Sequence, residues 1–170
     1  MADTPRQDLD RAGIVPRVML SWVRPAKVVR GLSGMSEGAM LAVLMGAMVV
    51  TLIAQMPGHS RAAHLDPSIP FAGRMAGAMI AVLFIMPLIA YGVAALVAGL
   101  SRLTPWRLEG ADSRLALFWA LLAVSPAMLL SGLVGGFVAP GPAHSLTHAV
   151  AGAGFVLIWG AGIYALAVRR

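Results

Sequence analysis

The chain has 170 residues, of which 59% are hydrophobic and only 12% are charged. Together with a mean hydropathy of +0.82, this composition leaves too little polar surface for a water-soluble domain of that length, so we predict a membrane protein. The net charge of +6 does not indicate a nucleic-acid partner, because the basic residues flank apolar segments and form no patch interleaved with aromatic residues.

Residues 1–36 form a basic N-terminal segment with the pattern of an amphipathic helix at the membrane surface. One side of its helical wheel is apolar and the other is basic. The apolar side holds Val15, Val18, Met19, Trp22, Ala26 and Val29, and the basic side holds Arg17, Arg24, Lys27 and Arg30. Pro25 predicts a break between two short helices on the cytoplasmic leaflet. Each basic residue would gain about 1 kcal/mol from anionic headgroups, so we favour a membrane anchor over a partner-docking role, with Trp22 at headgroup depth.

Four uncharged windows follow that are long enough to cross a bilayer. A hydrocarbon core about 30 Å thick requires about 20 residues of helix. The windows are roughly residues 38–56, 75–100, 115–138 and 148–168. They predict an all-α integral membrane protein, a bundle of four transmembrane helices in a domain of residues 37–168. A signal peptide is the alternative for the first window, but that window is too long and lacks a clear small-x-small cleavage site.

The basic residues predict how the spans are oriented. Eleven of the thirteen lie in the N-terminal segment, the second connection or the tail, and only Arg61 and Arg74 lie on the other side. Because basic residues near span ends are retained in the cytoplasm, we predict that both termini are cytoplasmic. Arginine outnumbers lysine twelve to one and asparagine is absent, which is typical of a GC-rich genome and favours a bacterial inner membrane.

The sequence lacks the residue patterns that are typical of ion pathways and catalytic sites. The core of each window lacks charged residues, which removes the usual groups of a proton or ion pathway. The chain also has no cysteine, carboxylate pair, serine elbow or glycine-rich phosphate loop. We therefore predict no enzymatic activity and no cofactor.

Two windows contain a proline near the middle, Pro87 and Pro126. Each removes one helical hydrogen bond and predicts a kink. A functional interpretation is a hinge or a midplane cavity, as in transporters with broken helices. The alternative is a proline that the membrane helix simply tolerates, and we favour it because no charged group accompanies either kink.

Small residues predict where helices pack closely. Gly132 and Gly136 have the spacing of a G-x-x-x-G motif, and Gly73 and Gly77 repeat it at the start of the second window. We expect this packing to lie within one bundle, since four spans are available.

All four histidines fall on the predicted outer side. They are His59 and His64 in the first connection and His144 and His148 in or after the third. Two residues at positions i and i+4 of a helix can share a zinc or copper ion. No recognised ligand spacing supports such a site, so we assign no metal and keep the four histidines as candidates.

Three stretches carry a resemblance to a known family. They are "RPAKVVRGL", "AVLFIMPLIAYGVAALVAGLSRL" and "RLALFWALLAVSPAMLLSGLVGGFVAPGPA". Over roughly residues 17–168 the chain resembles the bacterial branch of the Yip-one domain family, named for proteins that interact with Ypt/Rab GTPases. The resemblance implies a helical membrane bundle, partner binding and no catalytic residues. The four predicted spans depart from the usual five of that family.

These observations predict a non-enzymatic inner-membrane protein that acts as an interaction, scaffold or membrane-organising component, with a membrane protein as its partner. Trp106 and Arg107, in the second connection, are the candidate partner contacts. A small transporter or channel for a neutral or hydrophobic solute is the first alternative, and an outer-face histidine metal module is the second.

Overall fold

The structure, a computed structural model, describes residues 13–138 and 141–169, with the side chain of the last residue excluded. Arg6, Arg11 and Arg170, which contribute to the predicted charge asymmetry, lie outside the described residues. The helices are α1 (Ile14–Ser21), α2 (Pro25–Gly31), α3 (Glu37–Leu65), α4 (Phe71–Ile80), α5 (Met86–Ser101), α6 (Gly110–Ala123), α7 (Ser125–Phe137) and α8 (Pro142–Leu166). A π-helical segment, Ala81–Ile85, joins α4 to α5. Two short strands, β1 (Trp106–Arg107) and β2 (Val168–Arg169), form an antiparallel pair.

Within residues 13–138 and 141–169, three helical stretches are long and apolar enough to cross a membrane, and a fourth qualifies if two bent helices count as one span. The three are Glu37–Leu65, Phe71–Ser101 and Pro142–Leu166, and the bent pair is α6 with α7. The predicted class, a helical membrane protein, is confirmed. The short β1–β2 pair is an addition that the helical pattern did not predict.

The first and fourth spans are longer than predicted. Helix α3 continues through Pro57 to Leu65, although the sequence window ended near Met56. Proline removes one backbone donor inside a helix, and α7 packs closely against α3 at this point, with Gly136 next to Pro57. Helix α8 begins at Pro142, because a proline suits the first turn, where its missing N–H costs no helical bond.

The second span changes its winding just before its proline. The π-helical segment ends at Ile85, and Pro87 lies in the first turn of α5. The missing proline N–H removes the bond that would reach the carbonyl of Leu83, and a wider turn accommodates the ring.

Helix α6 lies at the centre of the bundle. Nine of its fourteen residues are buried, and it packs against α3, α5 and α8. Phe118 meets Tyr91 of α5 edge to face, with ring centroids 4.9 Å apart. The buried hydroxyl of Ser113 donates to the carbonyl of Ala94 at 2.7 Å. These contacts fix α6 against the second span.

The N-terminal helices pack on the bundle with part of their apolar side. Val18 and Val29 are buried, whereas Val15 and Met19 are exposed. The predicted break at Pro25 separates α1 from α2. The basic residues Arg24, Lys27 and Arg30 are exposed. Contact with lipid headgroups remains a prediction for this segment.

Three separate parts of the chain meet at one end of the bundle. The guanidinium of Arg30 donates through Nε to the carbonyl of Ala165 at 3.4 Å. Arg114, at the start of α6, forms an ion pair with Glu37, at the start of α3. Strand β1 of the second connection pairs with β2 near the C-terminus. We call this end the basic end; its orientation relative to the cytoplasm remains a prediction.

Candidate functional site

The bent helix pair, which corresponds to the predicted third span, is broken where α6 meets α7. The two helices bend by 42° around Val124. Pro126 has no N–H to donate, and the N–H of Ala127 donates to Val124 at 3.0 Å. In a continuous helix that N–H would reach the carbonyl of Ala123. The indole Nε1 of Trp22 donates to this Ala123 carbonyl at 2.9 Å and so supplies a donor at the break.

The indole of Trp22 also contacts the fourth span. A Cβ added at Gly154 of α8 would overlap the Trp22 ring, so the ring needs a glycine at that point. On the preceding residue, the hydroxyl of Ser21 accepts a hydrogen bond from Trp119 Nε1 at 2.9 Å. Trp22, 37% exposed, therefore joins the N-terminal segment to both α6 and α8. The position of Trp22 at headgroup depth remains a prediction.

A cavity of about 520 Å³ lies beside the break. Residues of all four predicted spans line it, among them Val124 and Met128 around Pro126 and Met86 next to Pro87. Leu121 and Phe155 add to its predominantly apolar wall. The two kinks that the sequence places near the middle of spans two and three therefore lie next to the same cavity.

Four polar side chains of the described residues line the cavity, those of Thr51, Gln55, Ser131 and His148. The Ser131 hydroxyl is buried and has no hydrogen-bond partner in residues 13–138 and 141–169. A buried hydroxyl without a partner is costly, so Ser131 offers an unused donor and acceptor to a ligand.

Glycines bring α7 against α3. A Cβ added at Gly132 would overlap the carbonyl oxygen of Ala54, and one added at Gly136 would overlap Pro57. Gly77 differs, since a Cβ there would meet no atom of the described chain within 4 Å. At Gly73 a Cβ would make only ordinary contact, 3.6 Å from Ile69. Gly132 and Gly136 thus lie at a close contact between helices, whereas Gly73 and Gly77 do not.

The histidines lie on helices near the predicted outer face. His144 and His148 stack with ring centroids 4.4 Å apart, and Nδ1 of His148 lies 2.9 Å from the carbonyl oxygen of His144. Nε2 of His59 lies 3.4 Å from the side-chain oxygen of Gln55, and His64 is exposed in the last turn of α3. Within the described part of the chain, no group of three or more histidine and carboxylate side chains is arranged to hold a metal ion.

Asp66, beside His64, has other partners. Hydrogen bonds from Ser68 and then the charge of Arg74 lower the pKa of the Asp66 carboxyl below its usual value. Arg74 lies 3.4 Å from this carboxylate. These contacts close the turn between α3 and α4, so the partners of the Asp66 carboxylate lie within this connection.

The candidate partner contacts lie at the basic end. Trp106 is 42% exposed, and its ring centroid is 6.3 Å from that of Tyr164 on α8. Arg107 is exposed on the same strand and borders a second cavity, of about 460 Å³, which Arg102, Glu109 and Asp112 also line. Strand pairing holds the backbone of both candidates against the end of the chain.

The sequence did not reveal the contact of Trp22 with the break. The indole and the carbonyl belong to residues 101 positions apart, so no local pattern relates them. The usable signal was a tryptophan in the basic segment together with a proline in a distant span, and this combination does not specify a contact.

Comparison with known proteins returns no match to a family model, to a curated protein or to a solved structure. The resemblance to the Yip-one domain family accordingly remains a prediction.

Proposed function

We propose that this protein is a non-enzymatic, multi-pass component of the bacterial inner membrane, of Yip type, that binds a partner membrane protein through its basic end. Both termini would then lie in the cytoplasm. Two contacts support the proposal: Arg30 of the N-terminal segment bonds to the end of α8, and β1 of the second connection pairs with β2, which follows α8. Three basic segments of the chain thereby form one surface.

The exposed side chains of that surface suit protein recognition. Tryptophan and arginine are enriched among the residues that dominate binding energy at protein interfaces. Trp106 and Arg107 combine both types on one short strand whose backbone is already held. Anionic headgroups would hold the neighbouring basic residues at the membrane surface.

Replacing Trp106 and Arg107 with alanine tests this proposal. The change retains the backbone pairing, so we expect the bundle to remain folded while bound partner falls at least tenfold. The measurement is quantitative mass spectrometry of proteins that co-purify from native membranes in mild detergent. A matched control replaces His64 and Leu65, which are exposed at the opposite end of α3. An unchanged set of partners in the first variant would refute the role of this surface.

A second candidate function, a small carrier for a neutral or hydrophobic solute, is favoured by the cavity next to Pro87 and Pro126. Transport would require the bent helices to open the cavity to each side in turn. Solute flux into proteoliposomes, compared between the native chain and a variant with both prolines replaced by alanine, tests this function. Equal flux in the two would exclude it.

A further inference from the structure

We propose that the cavity beside the break is a binding site for an apolar chain that ends in one uncharged, hydrogen-bonding oxygen. This inference does not depend on partner binding at the basic end, and it requires binding only, not transport. It follows from the shape, lining and polarity of the cavity.

The volume and lining of the cavity fit a single small amphiphile. Binding sites for small molecules typically measure about 300–1,000 Å³ and have apolar walls with a few polar groups. At about 520 Å³, with Leu121, Met128 and Phe155 in its wall, the cavity falls within this class. Along α7, the distance from Val124 to Ser131 corresponds to roughly 10 Å of helix rise. An extended chain of that length would lie beside α7.

The route of entry is from the bilayer. Among the lining residues, Met86, His148 and Gly152 are exposed, and they lie on the second and fourth spans. The mouth therefore opens between these two spans, on the outer surface of the bundle. An apolar chain can enter there directly from lipid without crossing water.

The polar groups select the head of the ligand. The buried Ser131 hydroxyl, without a partner in the part of the chain that the structure describes, would bond a hydroxyl or carbonyl oxygen. Among the described residues, the cavity wall includes no carboxylate, lysine or arginine, so a charged head would lose its hydration without a counter-ion. The site is thus suited to a long-chain alcohol or to the ester end of a lipid acyl chain.

Photolabelling of the full chain in bilayers tests the site directly. The probes are dodecanol with a diazirine in its chain and a phosphatidylcholine with the same group in one acyl chain. We expect saturable adducts on Met128 or Phe155, mapped by mass spectrometry and displaced by unmodified dodecanol but not by dodecylammonium. Adducts from the dodecanol probe identify a free alcohol as a source of the bound chain, and adducts from the phosphatidylcholine probe identify a lipid acyl chain as a source. Labelling by neither probe at the lining residues would overturn the proposal.

Two substitutions distinguish binding inside the cavity from general contact of the probe with the lipid-facing surface. A Cβ at Gly152 meets no described atom within 4 Å, so Gly152→Leu would fill the mouth without displacing backbone. Gly160 on the same helix is equally open and lies outside the lining, so Gly160→Leu is the matched control. We expect labelling to fall more than fivefold in the first variant and to stay unchanged in the second. Equal labelling of the two would refute the cavity as the site.

Ser131→Ala tests the recognition of the oxygen. Removing an unpartnered hydroxyl leaves the fold intact, and the loss of one hydrogen bond lowers dodecanol affinity about three- to tenfold. Affinity for dodecane, measured by competition with the photoprobe, should not change. A variant that binds the alcohol as tightly as the native chain does would contradict the role of Ser131.

Discussion

Removal of the indole N–H at the broken span is the sharpest test of how the N-terminal segment is attached. In Trp22→Phe, an aromatic ring remains near Gly154 but the hydrogen bond to the Ala123 carbonyl is lost. Ala123 is fully buried, so water cannot replace the missing donor. A buried group left without its partner costs about 1–3 kcal/mol, more than the average of about 0.6 kcal/mol for a hydrogen bond between membrane helices.

Trp159→Phe is the matched control. Trp159 Nε1 is also buried but lacks a hydrogen-bond partner in the described ranges. Its replacement shortens an aromatic side chain in the same way while removing an unsatisfied donor. We expect its free energy of unfolding to stay constant or to rise.

The assay is equilibrium unfolding of the full chain in mixed micelles, with increasing sodium dodecyl sulfate and circular dichroism as the readout. At 1–3 kcal/mol, Trp22→Phe lowers the folding equilibrium constant by roughly 5- to 150-fold relative to the native chain. If both phenylalanine variants lose stability equally, the loss reflects ring size, and the argument that Trp22 satisfies the break is wrong.

Three further predictions concern helix packing, the α3–α4 turn and metal binding. Gly132→Ala lowers the midpoint of thermal unfolding in detergent by several degrees, because the added methyl group overlaps the Ala54 carbonyl. Gly77→Ala leaves this midpoint unchanged or raises it, because the added methyl group meets no described atom. Equal midpoints in the two variants would contradict the close approach of α7 to α3. The pKa of the Asp66 carboxyl, followed by carbon-13 NMR, lies below its usual value and rises in Ser68→Ala. The stability that the Asp66 carboxylate contributes is therefore present above the pKa of the unfolded chain and is lost as the pH falls through the pKa of the folded chain. Equilibrium dialysis with zinc gives equal binding to the native chain and to a variant lacking the four histidines; weaker binding by that variant would establish an outer metal site.

The sequence predicts most of the membrane helices because lipid imposes a simple requirement. A window of about twenty uncharged residues must become a helix to satisfy its backbone, whatever its neighbours are. Pro126 likewise predicts a local loss of one helical bond, and the span bends two residues before it. Both effects depend on residues close together in the chain.

The remaining features depend on packing between distant residues. The extension of α3 past Pro57 is accompanied by packing against Gly136. The donor for Ala123 comes from the N-terminal segment. The cavity is lined by residues from all four predicted spans. Hydrophobic periodicity specifies none of these contacts, because helices that are apolar on all sides do not indicate which face meets which neighbour.

Labelling of single cysteines tests the central claim, that the bundle crosses the membrane four times with its basic segments on the cytoplasmic side. The native chain has no cysteine, so each introduced thiol reports one position. We expect Ser33→Cys, Leu103→Cys and Val168→Cys to react with a membrane-impermeant maleimide only after the cells are opened. Ser68→Cys and Ser145→Cys should react in intact cells whose outer membrane has been permeabilised. Reaction of Ser33→Cys and Val168→Cys from opposite faces would contradict the four-span arrangement and the shared basic end.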